Sequence, residues 1–224
     1  MFRPILASIT LVVLSTASFS FADLVQNIGT GINRTTGVQL PNNASDPNWV
    51  VAPGGDGTVY AGQDLIARST PLPSVYMPDS ASTGSRWVAI NSGQGLEGIS
   101  LPGTSYNFQT TVDLTGFNPA TASIPTGQFA VDDAINDIWI NGKVINLPSG
   151  LAMGLDRLYT LPTNLAAGLF TSGVNTITFD LINAVPGTPV AFRMEASVTA
   201  SVPEPTGLLL VAGFAAMFSR RSRS

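Results

Sequence analysis

The densest group of oxygen-bearing side chains in the sequence is Asp132, Asp133, Asn136 and Asp137. Calcium prefers carboxylate and carbonyl oxygens and tolerates irregular geometry, so Asp132, Asp133 and Asp137 are candidate ligands for a structural ion, the one cofactor the sequence suggests. Their spacing is not that of an EF-hand loop, and Asp and Asn also form ordinary turns by bonding to their own backbone. A second chemistry is offered by Trp49, Trp87 and Trp139, since an exposed indole stacks on a sugar ring. Trp139 stands apart because Ile138 and Ile140 take the opposite face of its strand, whereas Trp49 and Trp87 sit near strand starts, where aromatics usually pack. Hydrolysis of glycosides needs two carboxyls facing each other across a cleft. Of three glutamates, Glu204 lies in the tail and Glu195 alternates outward beside Arg193, which leaves Glu97. Glu97 also falls within Gly93-Gln94-Gly95-Leu96-Glu97-Gly98, but a dinucleotide loop must join a strand to a helix, and the surroundings here are strand and turn. Cysteine and histidine are absent, which excludes disulfides, Cys/His zinc sites, a thiol nucleophile and a Ser-His-Asp triad. The expectation is a protein that is not an enzyme.

Charge narrows the partners further. Ten basic residues against fourteen acidic ones give −4. Setting aside Arg3, Arg220, Arg221, Arg223 and Glu204 at the two ends leaves six against thirteen, or −7. Lys143 is the single lysine, and the five remaining arginines are scattered. Nucleic-acid binding needs clustered cations that displace counterions from phosphates, so nucleic acid is not an expected partner.

The elements that must position these residues read as strands. Tyr106, Phe108, Thr110, Val112 and Leu114 alternate with Ser105, Asn107, Gln109, Thr111 and Asp113, the pattern of a half-buried antiparallel strand. Ile177, Phe179 and Leu181 alternate with Thr176, Thr178 and Asp180. Val190, Phe192, Met194, Ala196 and Val198 alternate with Ala191, Arg193, Glu195, Ser197 and Thr199. Asn141-Gly142, between Ile138-Trp139-Ile140 and Lys143-Val144-Ile145, predicts a type I′ hairpin, because both residues tolerate positive φ. A turn over 53–57 separates Trp49-Val50-Val51 from Thr58-Val59-Tyr60, and further strands are expected near Leu24–Ile28, Ser74–Met77 and Arg86–Ile90. Asn164–Leu169 alone suggests a helical turn, and the Ser/Pro-rich stretch 69–85 reads as a loop. Eight to ten short strands with Gly/Pro-rich turns predict an all-β sandwich over 23–200, most simply a jelly roll.

Both ends carry export chemistry. Arg3, the apolar stretch Ile5–Leu14 and Ser20-Phe21-Ala22 read as a signal peptide over 1–22, cut between Ala22 and Asp23. Near the other end come Val202-Pro203-Glu204-Pro205, an almost wholly apolar run over 206–219, and Arg220, Arg221 and Arg223, arranged as a membrane anchor with a cytoplasmic positive stop. This order resembles the PEP-CTERM sorting signal, over 202–224. The resemblance implies recognition by exosortase, an integral-membrane enzyme with a catalytic cysteine, after transport by the Sec machinery. It further implies removal of the tail near Pro203-Glu204-Pro205, with the protein passing from transient inner-membrane anchorage to the cell surface or extracellular matrix. The apolar core 207–218 is short: twelve helical residues span ~18 Å against a ~30 Å hydrocarbon layer, a gap that snorkelling arginines and local thinning narrow.

A second resemblance concerns the middle. Phe129-Ala130-Val131-Asp132-Asp133, the Asp137–Gly142 strand ending in Asn-Gly, and Gly173-Val174-Asn175-Thr176-Ile177-Thr178-Phe179 are similar to galactose-binding-like jelly rolls, in which the last of these strands delivers its Phe to the core. Such folds serve as sugar-binding modules, glycosidase accessories or surface proteins without a known ligand, so fold does not choose among them. The expected function is that of a non-enzymatic surface or matrix protein, and the alternative is a carbohydrate-binding module acting on exopolysaccharide.

Overall fold

Asn141 and Gly142 carry φ of 51° and 76°, the paired positive values of a type I′ turn, and they join two strands in the expected register, Ile140 opposite Lys143 and Ile138 opposite Ile145. The computed structural model describes residues 23–56, 60–68, 75–79, 84–90, 105–151, 153–184 and 188–203. Residues 1–22, expected as a signal peptide, the segment 204–224 with Glu204, Pro205, Arg220, Arg221 and Arg223, and the glycine loop with Glu97 lie outside the described residues. Among the described residues no helix is long and apolar enough to cross a membrane.

The described chain is all-β. Its strands are β1 (Leu24–Asn27), β2 (Ser45–Gly55), β3 (Asp64–Arg68), β4 (Trp87–Ala89), β5 (Ser105–Asp113), β6 (Gly127–Asp132), β7 (Ala134–Ile140), β8 (Lys143–Ile145), β9 (Tyr159–Thr160), β10 (Val174–Ile182) and β11 (Ala191–Ala200). Short pieces such as β9 raise the number above the expected eight to ten. All pairings are antiparallel, in the order β8-β7-β10-β5-β2-β3-β4-β11-β6-β9, with β1 added to β11. The sheet is strongly curled. Phe179 on β10 and Phe192 on β11 are five strands apart in that order, which in a flat sheet is about 24 Å. Their ring centroids are 4.9 Å apart, and Trp49 of β2 touches both at 5.8 and 5.7 Å. The two halves of the sheet therefore face each other across one apolar core, an arrangement consistent with a β-sandwich.

Alternation holds on the inner faces and fails on parts of the outer ones. On β5, Tyr106, Phe108, Thr110 and Val112 are buried while Thr111 and Asp113 are exposed. Asn107 is buried too, because Gly54 lets β2 approach closely enough for the Asn107 amide to donate to the Pro53 carbonyl at 3.1 Å. On β11 the inward set is as expected, yet Ala191 and Arg193 on the supposedly wet face are fully buried. Residues 75–79, where a strand is expected near Ser74–Met77 within the stretch 69–85 read as a loop, form no strand but an irregular strap over that face. Its backbone finds partners outside any ladder: Met77 N–H donates to Leu155 O at 2.7 Å, Trp87 Nε1 donates to Met77 O at 2.9 Å and Arg193 Nη1 donates to Pro78 O at 2.8 Å.

Two further expectations are corrected. Tyr60 lies in a turn rather than a strand, with Thr58 and Val59 outside the described residues. Asn164–Leu169 is a pair of turns, because Asn164 and Ala166 adopt φ of 55° and 68°, left-handed values that a right-handed helix cannot continue through.

Past the end of its pairing with β2, strand β5 has an uncovered edge at Thr111 to Asp113. Side chains stand in for the missing strand: Arg34 Nη1 donates to Thr111 O at 3.0 Å, and Gln26 Oε1 accepts from Asp113 N–H at 3.3 Å. At the other end of the molecule's sequence, Leu24 pairs with Ala200, so the first and last described strands lie side by side.

Candidate functional site

A polar cleft of about 260 Å³ opens where β1 meets β11. Its floor is Glu195, Ala196 and Ser197 of β11; one wall is Asn27, Gly29 and Ile32 from β1 and the chain after it. Ser85 closes a second side, and Pro125 with Thr126 forms the third.

Backbone pairing fixes the first wall. Beyond β1 the chain continues along β11, with Ile28 N–H donating to Ala196 O at 2.9 Å and Thr30 N–H to Met194 O at 3.1 Å. The buried Asp46 carboxylate then holds the bend, accepting from Gly31 N–H at 2.7 Å and from Asn48 N–H at 3.0 Å. Gly31 has φ of 62°, and a Cβ there would meet Arg86 Cβ at 2.5 Å, so glycine is required on both grounds. Arg86 ties this wall to the strap, donating to Leu40 O at 2.6 Å and pairing with Asp79 at 3.2 Å. Desolvation raises the Asp46 carboxyl above its usual range and lowers Arg34 to about 10, each shift partly offset by the opposite charge of the other.

Beside Glu195, on the same face of β11, lies the charged group that orders the floor. The Arg193 guanidinium is fully buried and donates to Ser85 Oγ at 2.9 Å, Pro78 O at 2.8 Å and Glu195 Oε1 at 3.1 Å. Ser85 Oγ in turn donates to the same Glu195 oxygen at 2.7 Å. A buried cation needs such pairing, because an unpaired one would carry the full desolvation cost. The Ser85 hydroxyl both accepts from Arg193 and donates to Glu195, and at 1% exposure it acts as a bridge, with no open face for nucleophilic attack. Glu195 Oε2 has no partner among the described residues, and its side chain is 14% exposed on the cleft.

Among the described residues, none of the tryptophans or aspartates that sequence reasoning singled out lines this cleft. Asp132, Asp133 and Asp137 do not converge: among the described residues no group of three acidic side chains gathers that could hold a metal. Adjacent in sequence, they are drawn to different partners. Asp132 accepts from the Tyr76 hydroxyl, Asp133 accepts from Ala184 N–H at 2.7 Å, and Asp137 accepts from the Asn136 amide at 3.1 Å. Desolvation pushes Asp132 up to about 6, with the Tyr76 hydrogen bond opposing and Asp133 adding to the shift. Trp49 and Trp87 are corrected as stacking platforms, because both are fully buried. Trp49 packs against Phe179 and Phe192 and donates to Gly29 O at 3.3 Å; Trp87 stands edge-on to Tyr76 at 5.1 Å. Trp139 is half-buried on β7, between Thr178 of β10 and Val144 of β8. Val202 and Pro203 follow β11 at the surface, Val202 partly buried and Pro203 exposed.

The signal that points to the cleft was present as Arg193-Met194-Glu195, opposite charges two apart and hence on one face of a strand. The partners that turn that pair into a floor, Pro78 and Ser85, lie more than a hundred residues away. No family model matches the chain, and neither curated proteins nor solved structures yield a match.

Proposed function

We propose that the chain is an exported, non-enzymatic surface or matrix protein, delivered by a PEP-CTERM signal that exosortase processes after Sec transport. One observation carries this reading: Val202-Pro203-Glu204-Pro205, an apolar run and Arg220, Arg221 and Arg223 occur in the order of that signal. The sequence order gives the topology its physical sense, with an apolar plug ahead of a cluster of guanidinium groups that resists translocation. The fold supports the boundary. Strand β11 ends at Ala200, and the chain emerges exposed by Pro203, so a cut at Pro203-Glu204-Pro205 would break no strand pairing among the described residues. Asp23 likewise precedes β1, so signal-peptide cleavage after Ala22 spares the fold. The curled sheet is read as a jelly roll, on the strength of the Asn175 and Phe179 strand described above.

The test is replacement of Pro203-Glu204-Pro205 by three alanines in the native host. Fractionation is expected to show an uncleaved form retained in the inner membrane, whereas the unaltered chain is recovered shortened and released. Normal release of the altered chain defeats the proposal.

A further inference from the structure

We infer that the strap over 75–79 works as a pH-dependent catch, fastened while the Asp132 carboxyl beneath it is neutral and released more often once that carboxyl ionises. The device is independent of how the chain is sorted.

The strap is held by ties that can be given up together. None of its residues belongs to a strand, so no ladder bonds it to the sheet. Besides the bonds of Met77 and Pro78 described above, Asp79 pairs with Arg86 at 3.2 Å and the Tyr76 hydroxyl donates to Asp132. The Tyr76 ring stands edge-on to Trp87, 5.1 Å between centroids, and through Asp132 it reaches the end of β6. Segments held in this way open locally at a lower free energy than the strands they cover.

What sits under the strap makes that opening sensitive to protons. Asp132 is 8% exposed and Tyr76 7%. Among the described residues no lysine or arginine pairs with the Asp132 carboxylate. The ionisable groups among them that act on it are Tyr76 from the strap and Asp133 from the chain just beyond β6. Burial, reinforced by the bond to Asp132, holds the Tyr76 phenol far above its usual range, so it remains a donor while Asp132 titrates. Asp133 is a like charge, and its own carboxylate is engaged by Ala184 N–H at 2.7 Å. One hydroxyl bond does not replace the hydration of a buried carboxylate that lacks a counter-ion. The neutral acid carries no such cost. Raising the strap returns the group to water, so ionisation and opening promote each other.

The pH range follows from the two environments. With the strap down, desolvation, opposed by Tyr76 and increased by Asp133, places Asp132 at about 6. An aspartate in water titrates near ~3.9. Because the closed form holds its proton more tightly, the catch is at full strength below about pH 4, weakens as pH rises toward 6, and stays constant above. The gap between the two values makes opening up to about a hundredfold more frequent at pH 7 than at pH 4.

The experiment is hydrogen exchange followed by NMR on the isotope-labelled full chain between about pH 4 and pH 7, each rate divided by its intrinsic rate at that pH. The Trp87 indole N–H and the Met77 amide report the strap, one donating to Met77 O and the other leaving the strap for Leu155 O. The Phe179 amide, in the middle of β10, reports the sheet. Both strap hydrogens should exchange faster than Phe179, and their protection should fall by up to about a hundredfold across this range. In Asp132→Asn the fall should vanish. Tyr76→Phe keeps the ring against Trp87 but removes the bond that favours the ionised carboxyl, so there the fall should continue to higher pH. Protection independent of pH in the parent, a fall of the same size in Asp132→Asn, or an unmoved range in Tyr76→Phe would each overturn the inference. So would strap hydrogens that exchange no faster than Phe179, because the strap would then leave only with the whole fold.

Discussion

Asp132 sits 8% exposed beneath Tyr76, and its surroundings make ionisation costly. Withdrawal from water and, to a lesser degree, the neighbouring Asp133 raise its pKa, the Tyr76 hydroxyl pulls the other way, and the balance stands at about 6. A carboxyl whose folded pKa exceeds its unfolded value binds protons more tightly when folded. Its contribution to stability is therefore complete below about pH 4 and declines as pH rises toward 6, after which a constant penalty remains. Asp132→Asn keeps an acceptor for Tyr76 and removes the ionisation. The melting temperature of the variant relative to the parent should rise between pH 4 and pH 6 and then stay level. A difference between the two proteins that does not change over that range would show that Asp132 does not carry the effect.

Asn175 shows the opposite economy, a polar side chain whose every bond is made. It is fully buried, its oxygen accepts from Thr171 N–H at 2.7 Å and from the Asn141 amide at 2.8 Å, and its nitrogen donates to the carbonyls of Thr171 and Gly173, both at 2.8 Å. At the scale of elements it joins the β7–β8 hairpin to the start of β10, because Asn141 is the first residue of that hairpin's turn and also accepts from Thr176 N–H at 3.0 Å. Asn175→Ala leaves several of these groups unpaired in the interior and should cost ~2–4 kcal/mol in urea unfolding at unchanged m-value. A loss within a few tenths of a kcal/mol would mean that water or local rearrangement satisfies them. This knot was half legible in the sequence. Asn141-Gly142 announces a hairpin because turn chemistry is local, and the inward residues of β5, β10 and β11 follow from a period of two. What covers the outer face of β11 is not local. Nothing in Arg193 or Glu195 says that a strap at 75–79 and Ser85 will lie over them. The same limit governs the aspartates around Asp132: density along the chain is visible in sequence, but convergence of their oxygens in space depends on Tyr76 and Ala184, which come from other parts of the fold.

At the scale of the whole molecule, the pairing of β1 with β11 has consequences for export. Leu24 lies opposite Ala200 and Val25 opposite Thr199, so the points where the proposed signal peptide and sorting segment would join the body are neighbours. Under the proposed topology a body held at either junction hangs from the same corner, and cutting both releases it without disturbing its strands. The closeness can be measured directly, because the chain contains no cysteine to confuse the result. Partners in an antiparallel ladder have Cα atoms about 4.5–5.5 Å apart, within the 4.4–6.8 Å range over which a disulfide closes without distortion. Val25→Cys combined with Thr199→Cys should therefore form an intramolecular disulfide on mild oxidation, seen as faster migration in non-reducing gels. Because the closed loop encompasses nearly the whole body, the chain-entropy argument gives a stabilisation of up to about 5 kcal/mol, less any strain at the new bond. Exclusive formation of intermolecular dimers, or free thiols under conditions that oxidise exposed cysteine pairs, would contradict the β1–β11 register. It would also remove the structural reason for treating the two processing points as one corner of the domain.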